Sequence, residues 1–419
     1  MKKLLICCFL ILFIFSCKKG EKTSAPDPEA SSKDTFVKPV VDVYVDYSGS
    51  MAGYVNGKTE FKDAVYNYLT DIKISGAADA LNLFYINTEP IKIEYEIKDF
   101  IDKLNPSQFL KYSSDIANIF ELVLTKTENE RVSILVTDGI FSPGRGKNAN
   151  DYLAHQQIGI KRIMADHLEK YPDTAVVVYQ LSSNFKGYYY NCNDAPQWIN
   201  ASRPYYIFVI GNETKVAFLN ERLPEQKFKG GGIQHSYTFL PLPDNENKKM
   251  NYSILNTPRF GTFERDKKSP KNSIYAIEKE KKGVHEGKFM FTVGMDLSYL
   301  LSLLGEEYLT NTDNYAYQIN QQPSNDYSIE IENNTTNTGY THNMKLTTDK
   351  ISTSKLKIYL QNNFPQWVYD INDDEGLNIY KGDSINKTFG IKYLLEGMYD
   401  AYKAKKKTIH SIMDFNLRK

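Results

Sequence analysis

The sequence lacks an excess of charge of either sign and a long apolar run, and it has few cysteines. Its 51 basic residues equal its 51 acidic residues in number, and a net charge of zero predicts no general attraction to nucleic acid or to anionic lipid. The apolar run Leu4–Phe15 has 12 residues, whereas a membrane-spanning helix takes about 20. Only four cysteines occur in 419 residues. The composition is otherwise that of a globular protein, with room for two or three domains.

The first 17 residues have the pattern of a bacterial signal peptide. Lys2 and Lys3 precede the apolar run, whose length suits a signal segment. The stretch Ile14-Phe15-Ser16-Cys17 resembles a lipobox, which implies that Cys17 is lipidated and anchors the chain. We therefore expect a lipid-anchored protein of the bacterial cell envelope, at the outer membrane and facing the periplasm or the surface. Ordinary secretory cleavage and an uncleaved anchor are the alternatives.

Residues 18–36 lack apolar periodicity and are rich in Lys, Glu, Ser, Ala and Pro. This composition predicts a flexible tether after the anchor. Cys7 and Cys8 lie in the signal segment, and Cys17 would carry lipid. Cys192 would then be the one cysteine left in the mature chain, which excludes a disulfide within it.

Between residues 37 and 211, apolar strands alternate with helical patterns. Val41–Val45 and Val132–Val136 are near-continuous apolar runs typical of buried strands, and Thr59 can cap a helix with one apolar face. We predict an α/β domain here, Rossmann-like and doubly wound, with a mostly parallel sheet covered on both faces. Ligands of such folds bind beyond the carboxyl ends of the strands.

Carboxylates and hydroxyls cluster at those strand ends. Asp46, Ser48 and Ser50 follow the first strand, Asp138 follows the strand Val132–Val136, and Ser114 precedes a helix between them. Neither histidine nor cysteine accompanies them. Hard oxygen donors of this kind suit Mg²⁺, with Mn²⁺ or Ca²⁺ as alternatives. Taken alone, the stretch "DYSGSM" also suits a helix-capping turn.

The order and spacing of these residues resemble the metal-ion-dependent adhesion site of von Willebrand factor A domains. The resemblance covers residues 38–211 and depends on three motifs, which are Asp46-x-Ser48-x-Ser50, Ser114 and Thr137-Asp138-Gly139. It implies that the three serine hydroxyls bind the metal, while Asp46 and Asp138 bind it directly or through water. That family usually has threonine in the second motif, preceded by glycines. Here Tyr112 and Ser113 precede Ser114, so Ser113 or Asp115 are possible substitutes.

The resemblance implies a binding site rather than a catalytic one. A hydroxyl-rich shell leaves the cation electron-poor, so the Asp or Glu carboxylate of a protein or peptide partner can complete its coordination. Residues Gly49–Gly53 lack the order of a nucleophile elbow, and we expect no enzyme. The alternatives are a structural scaffold of an envelope or secretion assembly, in which metal binding is incidental, and, remotely, a hydrolase.

Residues 184–198, "NFKGYYYNCNDAPQW", are predicted to form a loop after a strand that ends near Leu181. Its aromatic side chains could border the metal site and anchor a partner; they are Tyr188, Tyr189, Tyr190 and Trp198. The alternative is that this loop packs on the flank of its own domain or on a second domain.

Beyond residue 211, short segments alternate apolar and polar residues with a period of two. We predict an irregular β-rich region over residues 212–319. An immunoglobulin-like β-sandwich should follow over residues 320–419. The apolar positions between Phe389 and Tyr402 predict an amphipathic helix near the end of the chain.

Overall fold

A computed structural model describes residues 36–109, 115–223, 228, 232–241, 250–265, 272–335, 339–404 and 409–419. The predicted signal peptide with Cys17, nearly all of the predicted tether, and Ser113 and Ser114 lie outside these described residues. Within the range Lys38–Lys419, the chain forms one compact unit. No helix of the described part is both long and apolar enough to cross a membrane.

Seven of the described strands form the central sheet. They are β1 (Val40–Asp46), β2 (Ala80–Ile86), β3 (Pro90–Ile93), β4 (Arg131–Thr137), β5 (Thr174–Tyr190), β6 (Pro196–Asn212) and β7 (Ile233–Phe239). Their order across the sheet is β3-β2-β1-β4-β6-β5-β7. After its first residue, β1 is buried throughout, and so is β4. Burial of both faces explains why these strands are near-continuous apolar runs in the sequence.

The sheet is mixed, so the prediction of a mostly parallel sheet was wrong. Strand β1 pairs in parallel with β2 and with β4, but the other pairs described in this sheet are antiparallel. Short connections account for two of these pairs, β2 with β3 and β5 with β6, because strands joined by a tight turn run in opposite directions. An apolar run in the sequence indicates that both faces of a strand are buried, but it does not indicate the direction of that strand relative to its neighbours.

The described helices are α1 (Glu60–Ile74), α2 (Ile97–Lys103), α3 (Ile116–Lys126), α4 (Ala149–Lys170), α5 (Glu213–Arg222), α6 (Ser298–Leu304), α7 (Glu306–Thr310), α8 (Trp367–Asp370) and α9 (Ile391–Ala404). Thr59 caps α1 as predicted, since its hydroxyl accepts a hydrogen bond from the Lys62 amide. The predicted C-terminal helix is confirmed as α9. It packs against α4, where a β-carbon on Gly397 would lie 3.0 Å from Ile160.

The remaining strands form three smaller sheets. They are β8 (Asn251–Ile254), β9 (Thr262–Arg265), β10 (Ser273–Glu278), β11 (Phe289–Asp296), β12 (Tyr315–Ile319), β13 (Gln322–Pro323), β14 (Ser328–Asn333), β15 (His342–Thr348), β16 (Ser354–Gln361), β17 (Asn372–Asp373), β18 (Thr388–Phe389) and β19 (Ile409–Leu417). One sheet has the order β13-β12-β16-β19-β10-β9, another β14-β15-β11-β8, and β17 pairs with β18. The two larger sheets contact each other through Phe291 and Phe415. Both combine strands from either side of residue 320.

Candidate metal centre

The first candidate loop follows β1, and the second follows β4, its parallel neighbour. In this pair Val45 lies opposite Val136, so the two strands end at the same edge of the sheet. The Thr137 hydroxyl joins the two ends, because it donates a hydrogen bond of 2.7 Å to Oδ2 of Asp46. The structure therefore brings Asp46 and Asp138 to one place.

The first loop turns its hydroxyls toward each other. Oδ1 of Asp46 accepts a hydrogen bond from the Ser48 amide over 2.9 Å, which holds the turn. The hydroxyl oxygens of Ser48 and Ser50 lie 3.0 Å apart. Ser48 precedes a 3-10 helix, Gly49–Val55, but its side chain makes no capping hydrogen bond. Helix capping therefore does not account for this serine.

The second loop leaves a carboxylate oxygen without a partner. Asp138 is buried, and its Oδ1 accepts a hydrogen bond of 3.2 Å from the Ile140 amide. Its Oδ2 is also buried and has no hydrogen-bond partner in the described part of the chain. Gly139 follows with φ of +68°, and a β-carbon there would lie 3.0 Å from the Tyr206 ring. Glycine is needed at this turn because both the backbone angle and the close ring disfavour a side chain.

Both carboxyl groups lie in surroundings that disfavour their charge. Burial raises the pKa of Asp46, and the nearby charge of Asp138 raises it further, against the hydrogen bonds from Thr137 and Ser48. Burial also raises the pKa of Asp138, while the Ser50 hydroxyl, the Ile140 amide and the positive charge of Arg203 oppose that rise. Two buried like charges repel each other, so a bound cation would stabilise the charged form of both carboxyl groups.

These residues fit a divalent cation. Two carboxylates and two serine hydroxyls meet at the strand ends, and the buried Oδ2 of Asp138 makes no hydrogen bond of normal geometry with the described groups. Hard oxygen donors are what Mg²⁺, Mn²⁺ and Ca²⁺ prefer. The described residues contain no group of three or more His, Cys, Asp or Glu side chains that could hold a metal. The donors assembled here differ from such a group because half of them are hydroxyls.

Of the third candidate loop, the structure describes Asp115. Ser114 and its substitute Ser113 lie outside the described residues, and their roles stay predictions. The other substitute, Asp115, caps α3, because its Oδ1 accepts a hydrogen bond of 3.0 Å from the Ala117 amide. One oxygen of that carboxylate is therefore already used in starting the helix.

Residues 184–198 are not a loop but the outer part of a long hairpin. Strands β5 and β6 pair continuously from Thr174 with Asn212 to Tyr190 with Pro196. Since side chains alternate between the faces of a strand, Tyr188 (51% exposed) and Trp198 (49%) share one face and stack edge to face at 5.1 Å. Tyr190 is exposed as well, but Tyr189, at 2%, is buried. Tyr189 therefore does not belong to the exposed rim for which it was predicted.

The hairpin packs across the first loop. A β-carbon on Gly53 would overlap the ring of Phe185, so the 3-10 helix and the hairpin touch at this glycine. Gly49 is the residue between Ser48 and Ser50 in the sequence. The Tyr190 ring lies 3.5 Å from the position that a β-carbon on Gly49 would take. The exposed aromatic face thus begins beside the candidate metal loop.

Sequence reasoning missed a further segment, residues 371–390, at this site. Its Gly376 carbonyl accepts a hydrogen bond of 2.8 Å from the Cys192 amide at the hairpin tip. The Tyr380 hydroxyl donates to the Trp198 carbonyl, and both Tyr380 and Leu377 are exposed. Two exposed apolar side chains therefore lie on a segment that is hydrogen-bonded to the outer part of the hairpin. The contacts join positions about 180 residues apart, for which a single sequence carries no local signal.

Comparisons of the chain with protein-family models, curated proteins and solved structures found no match. The resemblance to von Willebrand factor A domains depends on the motif residues alone. The geometry at the ends of β1 and β4 is therefore the basis for assigning a function.

Proposed function

We propose that this chain is a lipid-anchored protein of the bacterial cell envelope that binds a protein or peptide partner through a divalent cation. The site would be a metal-ion-dependent adhesion site of the von Willebrand factor A type, formed by Asp46, Ser48, Ser50, Ser114 and Asp138. One observation carries the proposal: two buried carboxylates meet two facing hydroxyls at adjacent strand ends, and one carboxylate oxygen has no partner among the described groups.

The donors favour recognition of an anion. A bound Mg²⁺ supplies a positive centre to which a carboxylate oxygen of the partner can bind. Ser48 and Ser50 would contribute neutral hydroxyls. Among these four residues, the negative charge around the cation would therefore come from Asp46 and Asp138 alone. The hydrogen bonds from the Ser48 amide and the Thr137 hydroxyl hold the Asp46 carboxylate in position.

The aromatic face beside the site would supply much of the affinity. Tyr188, Tyr190 and Trp198 are exposed on the hairpin, and the exposed Tyr380 is hydrogen-bonded to its edge at the Trp198 carbonyl. Large aromatic side chains commonly carry most of the binding energy at protein interfaces. The position of the Tyr190 ring next to Gly49 supports a partner that contacts metal and hairpin together.

The anchor belongs to the proposal as well. The lipobox-like stretch ending at Cys17 and the tether of residues 18–36 would hold the binding unit near the outer membrane, facing the periplasm or the surface.

Capture of partners from envelope extracts tests the function. The mature protein should retain its partner in Mg²⁺ and lose it in EDTA, and Ser48→Ala should weaken capture about as much as EDTA does, because both act through the same ion. Ser133→Ala is the matched control: Ser133 is also buried, but it bonds to Thr127 at the other end of β4. Capture that survives both EDTA and Ser48→Ala would favour the scaffold alternative.

A further inference from the structure

Arg203 is a fully buried cation that forms no ion pair with a carboxylate in the described part of the chain. Its side chain is 1% exposed, and Nη1 donates to three main-chain carbonyls, those of Ser384 (3.2 Å), Ile385 (2.8 Å) and Lys387 (2.9 Å). Nη2 is buried and makes no hydrogen bond of normal geometry among the described groups, although the Tyr54 hydroxyl lies close enough to interact with the guanidinium. The Tyr189 ring covers the guanidinium at 4.9 Å. Such burial is costly for a charge unless an opposite charge lies within reach.

Strand β6 carries Arg203 close to both metal loops, because its Tyr206 pairs with Thr137, the residue before Asp138. Tyr54, in the 3-10 helix after Ser50, donates its hydroxyl to the carbonyl of Pro204, the next residue after Arg203. Tyr206, on the same strand as Arg203, has its ring against Gly139, which follows Asp138. Although burial dominates the pKa of Asp138, the charge of Arg203 acts on that carboxyl in the opposite direction.

We propose that Arg203 is a buried counter-charge that sets the affinity of the metal site. Its guanidinium offsets the Asp138 carboxylate from inside the protein, and this weakens the hold of that carboxylate on a divalent cation. The inference rests on the proposed function and adds a regulation to it. A cation held weakly by the protein alone is held firmly once the carboxylate of a partner joins it, so metal and partner bind cooperatively.

The same arginine links the site to the C-terminal segment. The three carbonyls that accept its hydrogen bonds lie at the turn just before β18 and α9. The Tyr206 hydroxyl donates to the Thr388 hydroxyl in β18. Arg203 is thus a positioning residue with two roles, one through its charge and one through its hydrogen bonds, and substitutions can separate them.

Titration of Mn²⁺ into three proteins separates the roles. Arg203→Gln removes the charge but keeps an amide donor for the carbonyls, and we expect it to bind Mn²⁺ about tenfold more tightly, because a buried charge is poorly screened. Arg203→Lys keeps the charge and loses the fork of donors, so its Mn²⁺ affinity should stay within about twofold of wild type. Equal affinity in Arg203→Gln and wild type would overturn the inference, as would equal strengthening by both substitutions.

A double-mutant cycle in EDTA tests the charge pair without any metal and covers the case in which Arg203→Gln folds poorly. The cycle compares the unfolding free energies of wild type, Arg203→Gln, Asp138→Asn and the double variant. We expect Asp138→Asn to recover much of the stability that Arg203→Gln loses, because it removes the charge left unpaired. Additive effects would overturn the inference. Absence of Mn²⁺ binding in every protein would overturn the proposed function together with it, whereas binding that Arg203→Gln leaves unchanged overturns the inference alone.

Discussion

Replacing Asp46 by asparagine should stabilise the metal-free protein and remove its response to Mg²⁺. The carboxylate is buried beside the like charge of Asp138. An asparagine keeps an oxygen for the Ser48 amide and places an amide donor beside the Thr137 hydroxyl, which can also accept. The substitution therefore removes a buried charge while each hydrogen bond keeps a possible partner.

The size of the effect follows from the cost of that charge. A buried polar group without full compensation costs about 1–3 kcal/mol, and a charged one costs more. We expect Asp46→Asn to raise the unfolding free energy in EDTA at pH 8 by about 1–3 kcal/mol. The raised pKa of Asp46 means that the folded protein takes up this proton at a higher pH than the unfolded chain does. The wild-type disadvantage should therefore shrink as pH falls toward 4.

Urea unfolding in EDTA and in excess Mg²⁺ measures both effects, with Asp42→Asn as the matched control. Asp42 is a buried aspartate on the same strand, but it has an ion pair with Arg131 and a hydrogen bond of 2.7 Å from Asn82. Asp42→Asn should destabilise. Mg²⁺ at 100 times its dissociation constant should stabilise the wild type by about 2.7 kcal/mol and Asp46→Asn not at all. If Asp46→Asn loses as much stability in EDTA as Asp42→Asn does, the Asp46 carboxylate does not destabilise the metal-free protein.

His167, the aromatic face and the anchor are each open to a separate test. Burial lowers the pKa of His167 to about 4, so the unfolded chain binds this proton more tightly, and stability should fall by about 2 kcal/mol between pH 6.5 and 4. In urea unfolding, His167→Gln should not lose this stability between pH 6.5 and 4. The same pH dependence in His167→Gln and in wild type would refute the prediction. Tyr188→Ala should weaken partner capture about tenfold and leave its EDTA sensitivity intact, whereas the exposed Tyr66→Ala, outside that face, should change nothing. Cys17→Ser should release the protein from membrane fractions, and persistent association would favour an uncleaved anchor.

Local signals were enough to predict the parts of the fold from which the site is built. The apolar runs of β1 and β4, and the polar residues directly after them, are contiguous in sequence. Two parallel strands that are neighbours bring such residues to one edge without further information. The Thr59 cap of α1 and the apolar face of α9 could likewise be predicted, because each depends on residues that are close together in the sequence.

The rest depends on contacts between distant residues. The mixed strand directions of the central sheet depend on pairings that the apolar runs do not encode. The aromatic residues near the tip of the β5–β6 hairpin do not show by themselves whether they lie in a strand or in a loop. The alternation that buries Tyr189 and exposes Tyr188 becomes readable only once the strand is known to continue past Leu181. Arg203 gives no local signal of its role, because its partners lie about 180 residues later.

Direct titration of the mature protein with Mn²⁺, followed by electron paramagnetic resonance of the free ion, shows whether the ends of β1 and β4 form a metal centre. We expect one bound Mn²⁺ per chain, displaced by Mg²⁺ and absent in Asp46→Ala, with the Asp42→Asn protein binding like wild type. Equal Mn²⁺ binding by wild type and Asp46→Ala, or none by wild type at millimolar concentration, would contradict a metal centre at the ends of β1 and β4.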